Sequence, residues 1–110
     1  MVALPLVAWP HAGLVKSEPG RRAVLSSPPQ QVRLCFNEKV EAKFSAVNLS
    51  DKDGNAVALG VPATDPADPQ CLITPISGKL GGGSYTVKYR VLSVDGHIVD
   101  YGYGFSLKTP

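Results

Sequence analysis

The sequence predicts an all-β domain of about seven short strands. Three observations predict it. Ten Pro and eleven Gly in 110 residues would interrupt any helix repeatedly, whereas short strands joined by turns accommodate them. The apolar residues are mostly Val, Leu, Ile and Tyr, spread through the chain, and β-branched and aromatic side chains fit a pleated, half-buried surface. Finally, turn signals recur about every 8 to 12 residues between segments that alternate apolar with polar, which is the spacing of a sandwich or small barrel.

Taken in order, Pro19-Gly20 and Ser27-Pro28-Pro29 are turn signals on either side of a short apolar stretch at Val24 and Leu25. QVRLCFNEKV then alternates, with Val32, Leu34 and Phe36 on one face and Arg33, Cys35 and Asn37 on the other. AVNLSDKDGNAVAL reads as a hairpin, Val47 and Leu49 before an Asp53-Gly54-Asn55 turn and Val57 and Leu59 after it. Val61 to Gln70, rich in Pro and Asp, is expected to be a surface loop. CLITPI is a short strand. The glycine-rich GKLGGGS that follows lacks the Lys-Ser/Thr and helix of a phosphate loop. Tyr85, Val87, Tyr89 and Val91 share one face of the next strand, and Tyr101, Tyr103, Phe105 and Leu107 share one face of the last. The architecture this pattern fits is an immunoglobulin-like Greek-key β-sandwich/barrel.

Composition narrows the function. With 44% hydrophobic and 18% charged residues the chain has the balance of one ordinary globular domain. Its net charge of +2 arises from interspersed residues, and Arg21-Arg22 is the one adjacent basic pair, with no aromatics interleaved. Nucleic acid is therefore not an expected partner. No apolar run approaches the ~20 residues needed to cross a bilayer. Residues 1–10, MVALPLVAWP, form an uncharged apolar leader, a signal-peptide remnant or N-terminal extension, and residues 11–110 form the domain. Cys35 and Cys71 both fall in strand-like segments. If paired in an oxidising compartment they close a loop of about 37 residues, worth on the order of 3 to 4 kcal/mol on the chain-entropy model. Two free thiols are the alternative in a reducing compartment.

The two histidines, His11 and His97, sit at different kinds of place. His97 lies two residues after Asp95 with Gly96 between them, so in an extended segment the imidazole and the carboxylate project to one side, and Gly96 lets them converge. One nitrogen and one oxygen make half a metal site. Asp95-Gly96 is equally a favoured pair for a two-residue hairpin turn. His11 gains interest once residues 1–10 are removed. A chain starting with His offers its α-amine and ring Nδ1 as a chelating pair, which a second imidazole completes to a T-shaped set of three nitrogens. Cu(II) favours such tetragonal N/O surroundings, with Asp95 at a fourth or axial position.

The segments HAGLVKSEPGRRAVL, PQQVRLCFNEKV and LGGGSYTVKYRVLSVDGHIVDYGYGFSLK, in that order, resemble the CopC family of bacterial periplasmic copper-binding proteins over nearly all of residues 11–110. Arg90 to His97, which matches a family pattern RVxSxDGH, is the most specific part. The resemblance implies one Cu(II) per chain, held by His11, Asp95 and His97, with Glu38 hydrogen-bonding a ligand or water. It also implies a monomeric periplasmic copper carrier or buffer acting in copper resistance, not an enzyme, and an inner-membrane partner similar to the CopD copper transporters. Some family members carry a methionine-rich Cu(I) site; this chain has no methionine beyond Met1, so none is expected. Tyr89 stands where the family often has Trp, and Tyr101 where a Gly is usual. Because each imidazole binds copper only when neutral, affinity should weaken toward and below about pH 6.5. Two other readings of the same residues stay open, a copper-dependent monooxygenase-like enzyme and a metal-free interaction module.

Overall fold

A computed structural model describes residues 13–109 and contains eight strands: β1 (Leu14–Glu18), β2 (Val24–Leu25), β3 (Gln31–Phe36), β4 (Ala46–Asp51), β5 (Ala63–Asp65), β6 (Asp68–Pro75), β7 (Gly83–Leu92) and β8 (Ile98–Leu107). The only helical element among these residues is a single 3-10 turn at Ala42–Phe44. The strands form two four-stranded sheets, one in the order β1-β3-β6-β5 and the other in the order β2-β8-β7-β4. The chain passes repeatedly from one sheet to the other, and the result is the expected immunoglobulin-like Greek-key sandwich. The sheets close on a core to which β3 contributes Val32, Leu34 and Phe36 and β7 contributes Tyr85, Val87, Tyr89 and Val91, all at most 6% exposed. These are the faces that alternation selects. Phe36 and Tyr89 meet edge to face across the sandwich with centroids 5.6 Å apart.

Cys35 and Cys71 are paired. They sit directly opposite each other on β3 and β6, and their disulfide crosses the face of that sheet turned away from the core.

The segment after β4 and the stretch 61–70 depart from the sequence reading. The expected hairpin after β4 has only its first arm as a strand. Past the Asp53-Gly54-Asn55 turn, Ala56 still bridges to Ser50, but Leu59 bridges to Ile76 beyond β6, so the chain is changing sheets. The stretch 61–70 is not simply a loop, because it holds β5 and the start of β6. Asp65 accounts for this. Its side chain accepts the Ala67 N–H at 2.9 Å, which shapes the turn, and the Arg33 guanidinium at 3.0 Å, which ties β5 across β6 to β3.

Candidate metal centre

The most specific sequence motif lies where the longest hairpin turns. β7 and β8 pair without a slip from Gly83↔Leu107 to Leu92↔Ile98, leaving Ser93 to His97 to reverse the chain. The Ser93 N–H donates to the His97 carbonyl at 2.9 Å, and the Gly96 N–H donates to the Ser93 carbonyl at 2.9 Å. This is a three-residue loop whose last residue adopts a left-handed conformation, and Gly96 supplies it with φ +93°. The two-residue Asp95-Gly96 turn is thus corrected: Ser93 and His97 close the loop, and Asp95 stands one place before the left-handed residue.

This loop, and not an extended strand, is what folds the two candidate ligands onto each other. His97 Nδ1 lies 3.1 Å from Asp95 Oδ1. Both side chains remain open to solvent, 56% exposed for His97 and 40% for Asp95. Below them is Ser93, 1% exposed. Its hydroxyl accepts the His97 backbone N–H at 3.2 Å and donates to the same Asp95 Oδ1 that meets the imidazole. Ser93 is the residue that reading by ligand type passes over. The signal was present in the spacing, a hydroxyl two residues before the carboxylate and four before the imidazole.

The arrangement can act in two ways. A carboxylate only accepts, so a neutral His97 in contact with it carries its proton on Nδ1 and offers Nε2 to a ligand. With Nδ1 deprotonated, Oδ1 and Nδ1 are two donors 3.1 Å apart. Bonds of about 2.1 Å to a first-row metal at right angles place adjacent donors about 3.0 Å apart. The donor types and their spacing therefore fit a tetragonal N/O metal ion.

The end of β3 runs alongside. The Asn37 N–H donates to the Gly13 carbonyl at 2.9 Å, and the Gly13 N–H donates to Asn37 Oδ1 at 3.0 Å. Two residues on, the Lys39 carbonyl accepts the Val94 N–H at 3.1 Å, Val40 bridges to Ser93, and the Glu41 N–H donates to the Leu92 carbonyl at 2.8 Å. The segment 37–41 thus connects the start of the described chain to the His97 turn, and the half-buried Glu38 lies within it. His11 lies outside the described residues. Among the described residues no group of three or more His, Cys, Asp or Glu could hold a metal, so Asp95 and His97 form a two-donor set.

A family model described as the CopC domain matches residues 14–108. The chain belongs to the CopC family. Protein YobA of Escherichia coli (strain K12) is 34% identical to this CopC-family chain over 100 residues, 91% of the chain and 81% of YobA. Among solved structures, CopC from Methylosinus trichosporium OB3b superimposes with a TM-score of 0.81 at 32% identity, covering 90% of this chain and 95% of its own. PcoC, a methionine-rich copper resistance protein from Escherichia coli, superimposes at 0.79 with 29% identity, covering 89% of this chain and 99% of its own.

Proposed function

We propose that this CopC-family chain, in a form beginning at His11, binds one Cu(II) ion through His11, Asp95 and His97 and serves as a periplasmic copper carrier or buffer. The observation that carries the reading is the 3.1 Å approach of His97 Nδ1 and Asp95 Oδ1 on a loop tied to the segment that anchors Gly13. Gly13 is two residues from His11, a reach of at most about 7 Å of chain. A free α-amine and imidazole at His11 would add two nitrogens to the donor set of the turn. Glu38 would hydrogen-bond a ligand or a bound water, fixing its orientation. The oxidation state follows from the donors. Nitrogen and carboxylate oxygen favour Cu(II), whereas soft thioethers favour Cu(I), and here the contrast with methionine-rich PcoC is direct, since the chain has no methionine after Met1. Delivery would be to an inner-membrane copper transporter of the CopD kind.

The test is a Cu(II) titration of protein beginning at His11 against a chromophoric chelator, followed by electron paramagnetic resonance. One equivalent with a tetragonal, nitrogen-rich spectrum is expected, and His97→Ala should abolish it. Equal, weak uptake by both proteins would defeat the proposal.

A further inference from the structure

Ser93 has no donor role in the copper reading, yet its contacts join the parts of the turn. It is 1% exposed, its backbone bridges to Val40, and its hydroxyl is shared between the His97 N–H and Asp95 Oδ1. We propose that Ser93 is the positioning residue of the metal centre, holding the Asp95 carboxylate against the His97 imidazole before any metal arrives. This inference rests on the Cu(II) reading of the preceding subsection.

The physical argument begins with exposure. Two side chains that are about half exposed would sample several rotamers each, and the entropy of fixing them would fall on metal binding. In this turn the cost is met during folding instead. Ser93 Oγ is fixed because its backbone is a rung between β7 and the segment 37–41. The hydroxyl takes the His97 N–H, so its own proton is directed to Asp95 Oδ1, and that oxygen is left pointing at His97 Nδ1. The hydrogen bonds run in a closed circuit from the His97 backbone through Ser93 and Asp95 to the His97 ring. Alanine at 93 would remove the hydroxyl that joins the His97 N–H to Asp95 Oδ1 and so break the circuit in the middle. Partners of this kind behind metal ligands typically contribute 10- to 100-fold in affinity.

An isosteric pair separates the hydroxyl from its bulk. Ser93→Thr keeps the hydroxyl and Ser93→Val replaces it with a methyl group of the same shape, with Ser93→Ala as the smaller control. In metal-free protein, nitrogen-15 shifts of the His97 ring should show one dominant tautomer for wild type and Ser93→Thr, and averaging for Ser93→Val. With Cu(II), Ser93→Thr should bind within a few-fold of wild type. Ser93→Val and Ser93→Ala should lose 10- to 100-fold and show an altered copper hyperfine splitting. Thr and Val variants with equal affinity and equal spectra would overturn the proposal, as would an unchanged ring tautomer in Ser93→Val. Failure of the wild type itself to bind Cu(II) would instead bring down the copper reading, an outcome visible before any variant is compared.

Discussion

Asp65 and Asp95 each meet a basic side chain, and they differ in what that partner leaves available. Asp65 faces Arg33, with Oδ2 3.0 Å from Nη2 and 3.3 Å from Nε, and the two side chains are only 14% and 22% exposed. The Ala67 N–H and the Arg33 guanidinium hold its carboxyl below the ordinary carboxylate value. Guanidinium has no lone pair to offer a metal and keeps its charge at every relevant pH. Asp95 faces an imidazole in a more open setting, and an imidazole can give up its proton and become a donor. The first pair is complete as it stands and joins strands. The second brings a nitrogen and an oxygen within 3.1 Å where both could serve a metal, and the partner's chemistry, more than the acid's, makes the difference.

Replacing His97 with Ala should show the contrast most sharply. Cu(II) affinity should fall at least 100-fold, about 2.7 kcal/mol, while the metal-free protein should lose no more than about 1.5 kcal/mol, the scale of a single hydrogen bond. Competition titration and thermal melting measure the two quantities on the same samples. Intact copper binding in His97→Ala would erase the distinction between the two pairs.

Asp65→Asn should give the opposite result. Copper affinity should be unchanged, and the variant should melt below wild type at pH 7. The sign of its pH dependence follows from the lowered carboxyl. A group whose folded value lies below its unfolded value stabilises the fold above the unfolded value, near 3.8 for Asp65, and that contribution disappears as pH falls through the folded value. The gap between wild type and Asp65→Asn should therefore be full above about pH 5 and close progressively below pH 4. Urea denaturation across that range would show it. A gap that widened in acid would mean that Asp65 is not stabilised as a carboxylate.

Much of this could be read from the sequence, and the parts that could not share a cause. Strands β3, β7 and β8 announce themselves because their alternation matches burial of one face, as with Val87 at 0% exposed and Lys88 facing solvent. β1 and β5 are edge strands. One of β1's two apolar residues, Val15, is 66% exposed, and β5 has none beyond Ala63, so neither shows a period. Their places come from partners far along the chain, Cys35 and Arg33 for one and Asp65's own tie to Arg33 for the other. Alternation also puts Tyr101 with Tyr103, Phe105 and Leu107, yet Tyr101 is 60% exposed, with the Arg21 guanidinium 5.8 Å from its ring centroid. Period two assigns a face; it does not say where along the strand the core stops. At the candidate metal centre, the approach of Asp95 and His97 is legible as a spacing. The offset of Ser93 is in the sequence too, but its role depends on a three-residue loop that Asp-Gly alone does not specify.

Thr74 supplies a third case, a buried polar side chain whose hydroxyl meets no hydrogen-bond partner among the described residues. It is opposite Val32 on β6, on the same face as Leu72, and is 1% exposed. Its Oγ1 is the one buried side-chain oxygen or nitrogen without a hydrogen bond among the described residues. A hydroxyl taken from water and given nothing in return destabilises the fold. Valine has nearly the same shape and removes that polar atom, so Thr74→Val should raise stability by about 1 kcal/mol, or roughly 4 °C in melting temperature for a domain of this size. Copper affinity should not move, since Thr74 lies in the strand pairing with β3 and away from the His97 turn in the fold. A loss of stability on this substitution would show that the threonine hydroxyl is satisfied within the core, and that burial in this sandwich leaves no polar group unanswered.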